Sequence, residues 1–170
     1  MRRWVVVIAV VLGAVVVAPG TAGAAVRHVD GAMSGAGHFD SQSGCAGIIE
    51  QTGSGAFAAR DLGVGTYTFS VCITQGPSAL SFAGTASFRT HSGAQLHGTI
   101  DNSGPLGQYP TFVLTVTGGT RRYRHATGTL TLGPLAESNS TSCDPRSGVC
   151  FDWTDRGPLT GALRHVRPRR

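Results

Sequence analysis

Downstream of residue 25, apolar and polar positions alternate with a period of two along most of the chain, and no sustained 3.6-residue stripe interrupts them. Gly65 to Thr74 shows this most clearly: Tyr67, Phe69, Val71 and Ile73 fall on one face, and Thr66, Thr68, Ser70, Cys72 and Thr74 on the other. Successive side chains of a strand point to opposite faces, so this spacing predicts a strand with one buried and one wet side. Leu80 to His91 repeats the pattern with Leu80, Phe82, Gly84, Ala86 and Phe88. Ser92-Gly93-Ala94 then turns the chain into Gln95 to Asp101, where Leu96, Gly98 and Ile100 align.

Farther on, Thr111 to Thr117, Ala126 to Leu132, Val149 to Trp153 and Leu159 to Leu163 read as strands, and weaker strands fit Val29 to Phe39, Gly47 to Gln51 and Gly55 to Arg60. The fold class is therefore all-β, an antiparallel barrel of about eight strands, with a β-sandwich as the alternative. Glycine favours the barrel. Gly84, Gly98, Gly128 and Gly161 sit on the apolar face in mid-strand, where they let strands bend and approach closely. Gly35-Ala36-Gly37, Gly53-Ser54-Gly55 and Gly63-Val64-Gly65 read as turns or bulges.

Before residue 25 the pattern changes. Arg2 and Arg3 precede an apolar run from Trp4 to Val17, followed by small residues from Pro19 to Ala25. Those three parts in that order describe a cleaved secretory signal peptide over residues 1–24. The run covers 14 residues, whereas a spanning helix needs about 20. This expectation makes residues 25–163 a single all-β domain, leaves residues 164–170 as a basic tail and places the protein outside the cell.

Charge sharpens that division. The chain has a formal net charge of +5 with 14 basic residues, all of them arginine. Two lie in the leader and four, Arg164, Arg167, Arg169 and Arg170, in the last seven residues, so the body between is close to neutral. Such a tail supports weak contact with an anionic surface and no specific nucleic-acid recognition. In an oxidising compartment the four cysteines, Cys45, Cys72, Cys143 and Cys150, read as two disulfides. Cys45 with Cys72 and Cys143 with Cys150 is the favoured pairing among the three possible, because the second pair brackets a turn-rich stretch. Their spacing does not suit zinc, and no metal or cofactor is expected.

Gly118-Gly119-Thr120-Arg121-Arg122-Tyr123-Arg124-His125-Ala126-Thr127-Gly128 resembles the glycine-turn-aromatic stretch of the allene oxide cyclase and dirigent-like barrels, and Phe112 to Thr117 resembles the strand leading into it. Arg121 stands where those families often carry glycine. The resemblance implies an eight-stranded antiparallel barrel with an apolar cavity, in some members as dimers or trimers. Members steer cyclisation of lipid epoxides or coupling of phenolic radicals largely by shape. The matched segment carries no catalytic residue to transfer.

Candidate chemistry is sparse. No serine has the two flanking glycines of a hydrolase elbow. His91 and His97 flank one hairpin turn beside Arg89 and are read as exposed hairpin residues, with an acid–base pair as the sharper alternative. Glu50, Asp101, Asp152 and Asp155 supply isolated carboxylates. Arg121, Arg122 and Arg124 form the densest internal positive cluster, and alternation sets Arg122 and Arg124 on one face, as a solvated edge or an anion site. Trp153 reads as core, and Asn139-Ser140-Thr141 is a glycosylation sequon by pattern only. Catalytic and ligand-binding residues are thus not assignable from the sequence. The function expected first is a secreted barrel that binds a small apolar ligand without chemistry. The alternatives are a cyclase- or dirigent-like enzyme and an envelope interaction protein using the arginine tail.

Overall fold

The computed structural model describes residues 25–40, 45, 49–138 and 152–166. Among these, nine strands follow in chain order: β1 (Arg27–Asp40), β2 (Ile49–Arg60), β3 (Gly63–Gln75), β4 (Ala79–Thr90), β5 (Gln95–Pro105), β6 (Phe112–Gly119), β7 (Thr127–Leu132), β8 (Ala136–Ser138) and β9 (Asp152–Arg164). All pairings are antiparallel. Each strand from β1 to β6 pairs with the next, β9 joins β7, and β1 pairs back onto β9. The result is a closed eight-stranded barrel, which excludes the sandwich. The short β8 lies in line beyond β7 on the same edge of β9.

Closure works because every strand keeps one apolar face inward. Tyr67, Phe69, Val71 and Ile73 of β3, Phe82, Ala86 and Phe88 of β4, Leu96 and Ile100 of β5, and Leu114 and Val116 of β6 are all buried. Burying each large apolar side chain is worth about 1.5–3 kcal/mol, the main force holding the barrel shut. The outward positions of β3 to β7 carry mostly Thr and Ser, including Thr66, Thr68, Thr85, Ser87, Thr99, Thr115 and Thr129, all exposed. Cys45 and Cys72 lie 2.5 Å apart on the outer side. Cys143, Cys150, the sequon, residues 1–24 expected as the leader, and Arg167 to Arg170 lie outside the described residues. Arg164 is the last, exposed residue of β9.

Several strand boundaries differ from the sequence reading. Residues 49–51 and 55–60 are not two strands, because β2 runs unbroken through Gly53 and Gly55, and residues 47 and 48 lie outside the described residues. Gly35 and Gly37 likewise sit inside β1, opposite Gly55 and Gly53. These are not turns. The glycines face into the barrel, and a Cβ on Gly53 would lie 2.6 Å from the Phe69 ring, while one on Gly37 would lie 2.6 Å from Trp153 Cε2. Two adjacent strands thus form a wall without side chains, against which rings from β3 and β9 pack. Of the three motifs, only Gly63 follows a turn, the tight Asp61-Leu62 connection, with φ of 102°. Asp152, Trp153 and Leu159 to Leu163 belong to one long element, because β9 is continuous from Asp152 to Arg164, while Val149 to Phe151 lie outside the described residues.

The end of the barrel carrying the Asp61-Leu62, His91–Ala94 and Thr120–Ala126 connections is sealed. Leu62, Ala94, Tyr123 and Ala126 are buried there. Tyr123 donates its hydroxyl hydrogen to the Leu62 carbonyl at 2.8 Å. Arg122 donates to the same carbonyl at 2.5 Å, to Asp61 O at 3.2 Å and to the Tyr123 hydroxyl, with its guanidinium 4.5 Å from the Tyr123 ring centroid. Arg121 adopts φ of 51°, a left-handed conformation that glycine takes freely, and donates to the Ser92 carbonyl. Residues 121–123 form a 3-10 turn rather than a strand, so alternation does not apply, and Arg122 is a clamp between turns rather than one of a solvated pair with Arg124.

Candidate functional site

Among the described residues, the opposite end of the barrel is open. Phe39, Ile49, Ile73, Leu80, Phe82 and Pro110 line a cavity of about 290 Å³ at this mouth, together with Gln51, Gln75 and Gln108. Strand register explains the gathering. Phe39 pairs with Gln51, Gln51 with Val71, Ile49 with Ile73, Ile73 with Phe82 and Gln75 with Leu80, so β1 to β4 each send their last inward side chains to one ring. Gln51 is fully buried at the floor of the cavity, while Gln75 and Gln108 are exposed at its rim.

A ladder of rings runs below the mouth. Phe82 meets Phe112 edge-on with centroids 5.2 Å apart, Phe112 lies 5.3 Å from Phe69, and Phe69 is 6.0 Å from Trp153. Trp153 in turn packs 5.9 Å from Phe39, a residue of the cavity wall. Trp153 is core, as its alternation predicted.

One step deeper lies the polar feature of the interior. Asp155, only 5% exposed, accepts a 2.8 Å hydrogen bond from the Tyr67 hydroxyl. Burial in this apolar interior pushes the Asp155 carboxyl above its ordinary pKa, and the Tyr67 hydroxyl and Gly35 backbone, which favour its charged form, offset only part of that. Tyr67 is pushed upward too, first by burial and then by the carboxylate beside it. Asp155 Oδ2 and Trp153 Nε1 are buried without a hydrogen-bond partner among the described residues. Tyr67 fits because Gly35 has no side chain, since a Cβ there would lie 2.5 Å from the Tyr67 hydroxyl oxygen.

The other sequence candidates fall elsewhere. His97 pairs with Ser87, whereas His91 lies in the hairpin turn, so the two do not form an acid–base pair across β4 and β5. His97 instead borders an outer-face hollow with Thr68, Ser87, Thr99 and Thr117. Asp152 reaches the outer side of the barrel, where its carboxylate meets His38 Nδ1 at 2.8 Å across the β1–β9 seam. Glu50 accepts a 2.6 Å bond from Ser70, and Asp101 is exposed. Of the four carboxylates, only Asp155 enters the interior. The signal was available in the sequence, since the phase set by Trp153 and Leu159 puts Asp155 on the apolar face. Among the described residues no His, Cys, Asp or Glu cluster forms a metal site.

Among the described residues, the fold and mouth define a closed up-and-down β-barrel, sealed at one end and hollow at the other. No protein-family model matches the chain, and no curated protein matches it.

Proposed function

We propose that this chain is a secreted barrel that binds a small apolar molecule at its open mouth. The carrying observation is the cavity of about 290 Å³ walled by Phe39, Ile49, Ile73, Leu80, Phe82 and Pro110. Small-molecule sites are concave, mostly apolar and held by few polar groups, and this mouth has that composition at the lower end of the usual size range. A cavity on rigid strands is largely formed before the ligand arrives, so little ordering opposes binding. The signal-peptide pattern supplies the extracellular setting, and a Cys45–Cys72 disulfide suits that setting, the two residues being 2.5 Å apart.

A second reading is a cyclase- or dirigent-like enzyme, in line with the Gly118–Gly128 resemblance. Its favouring observation is Asp155, a buried carboxyl with raised pKa beside Tyr67. Groups perturbed in this way cluster at functional sites.

Native mass spectrometry of the protein recovered from culture supernatant separates these readings. Binding predicts one removable small-molecule mass on the folded chain, recovered unchanged after extraction. An extracted compound that the protein converts on re-addition would favour the enzyme. Protein that never leaves the cell, or that leaves it without a ligand and takes up no apolar probe, would overturn the proposal.

A further inference from the structure

The charges of this barrel are sorted along its axis. Arg27 opens β1, Arg60 closes β2, Arg89 is the second-last residue of β4 and Arg164 the last of β9. Arg121, Arg122 and Arg124 lie in the connection from β6 to β7. All seven are therefore at the sealed end, against two acids there, Asp30 and Asp61. Among the described residues the open half holds Asp40, Glu50, Asp101, Glu137, Asp152 and Asp155, with Arg156 as its one arginine. Of the chain's nine acids only Asp144 lies outside the described residues, and a single further acid could not neutralise the sealed end.

The arginines there keep their charge. Among the described residues Arg27 alone of the seven meets a carboxylate, that of Asp61 at 3.5 Å. Arg121 and Arg122 bond backbone carbonyls and a tyrosine hydroxyl, which hold the guanidinium groups in place without compensating them. The tail starts from the same rim. Val166 packs against the core just beyond β9, and residues 167–170 add Arg167, Arg169 and Arg170. Four residues reach at most about 14 Å, so these arginines stay within range of the other seven.

Two exposed apolar side chains sit in this basic setting. Val26, which precedes Arg27, is 44% exposed, and Val64, just past the Asp61-Leu62 turn that Arg122 holds, is 52% exposed. A soluble polyanion has no apolar phase to take them, whereas a bilayer interface sets anionic phosphates beside acyl chains. The acids of the open half are repelled by the same surface, which fixes the orientation.

We propose that the sealed end docks on an anionic phospholipid bilayer, with its arginines and the tail on the phosphates and Val26 and Val64 at the interface, so that the mouth faces away from the membrane. This docking does not depend on what the mouth binds.

At neutral pH and low salt, the mature protein is expected to sediment with phosphatidylcholine vesicles containing phosphatidylglycerol and not with phosphatidylcholine alone. Salt at about 1 M, where screening acts beyond roughly 3 Å, is expected to release it. Arg89→Gln, Arg124→Gln and Arg164→Gln together should weaken binding about a hundredfold, at roughly fivefold per surface arginine, with the urea midpoint little changed. Trp153 reports the orientation, being the one tryptophan outside the leader. It pairs with Gly37, and residues 27 to 37 of β1 span roughly 33 Å of strand. Brominated acyl chains are therefore expected to quench the added emission of Val64→Trp and to spare Trp153. Equal binding to neutral vesicles, indifference to salt, or quenching of Trp153 in the wild-type protein would overturn the proposal, and these comparisons stand even if a variant does not fold. Polyphosphate binding as tightly as the anionic vesicles at equal phosphate would overturn it in favour of a soluble polyanion. Binding abolished by removing residues 167–170 yet untouched by the triple substitution would overturn it in favour of the tail alone.

Discussion

The two ends of this barrel are built from the same strands and do opposite things. At the sealed end, short turns are tied to one another by Tyr123 and Arg122 on the Leu62 carbonyl and by Arg121 on Ser92, and buried side chains fill the interior. At the open end the inward residues of β1 to β4 border a cavity among the described residues. Small barrels fill with side chains unless space is left on purpose. The contrast sets an expectation that the tied rim carries more of the fold stability, while the other rim borders a ligand-sized space.

Removing the plug tests this most severely. Tyr123→Ala takes out a fully buried ring and leaves the Leu62 carbonyl without its hydroxyl donor. A loss of about 3–5 kcal/mol is expected in urea unfolding, and a loss below 1 kcal/mol would show that the sealed end is not where stability is concentrated.

Between the two ends, Gly37→Ala should cost about 1–3 kcal/mol by overpacking, because the added Cβ would lie within 2.6 Å of Trp153 Cε2. A shift in Trp153 emission in the folded variant should accompany the loss. An unchanged midpoint together with unchanged emission would mean that the glycine wall is not needed for ring packing.

Asp155→Asn should act through pH. The folded pKa of Asp155 is raised above the unfolded 3.8, so the folded state holds its proton more tightly and stability falls as pH rises from about 4 through the folded value. The asparagine variant should lack that decline, gaining on the wild type at neutral pH relative to pH 3.5. Parallel stability curves for the two proteins would contradict it.

The smallest effect is expected at the mouth. Leu80→Ala, at a half-buried rim position, should change stability by about 1 kcal/mol or less while weakening apolar ligand binding. The same truncation costing as much as Tyr123→Ala would erase the distinction between the ends.

Much of the architecture could be read from alternation alone. The inward faces of β3, β4 and β5, their shared hairpin and the close-packing role of Gly84, Gly98, Gly128 and Gly161 follow from a period of two with glycine on the apolar phase. Gly35, Gly37, Gly53 and Gly55 misled because a glycine has no side chain to mark its face. What demands its absence is a ring on another strand, as Trp153 of β9 does for Gly37 of β1. The three residues of β8 are too few to show any period. Arg122 looked like one of a solvated pair because a 3-10 turn breaks the alternation that set it beside Arg124. The cavity could not be seen, since it depends on where four strands end relative to one another. Asp155 was visible as a carboxylate, but its depth emerges only when β9 is one strand.

The seam between β1 and β9 shapes how the chain reaches this state. It pairs Arg27 with Leu163 and His38 with Asp152, joining the first strand to the last. Contacts so remote in sequence demand that a long loop be closed before they return anything, so the barrel should close late and fold slowly for its size. Throughout synthesis β1 has one edge waiting for a strand not yet made. Exposed edges invite pairing with other chains, yet segments rich in glycine are poor templates for stacked sheets. Gly31, Gly35 and Gly37 lie along that waiting edge, so the residues that make room for aromatic rings in the finished barrel also make its unpaired edge a poorer template for stacked sheets.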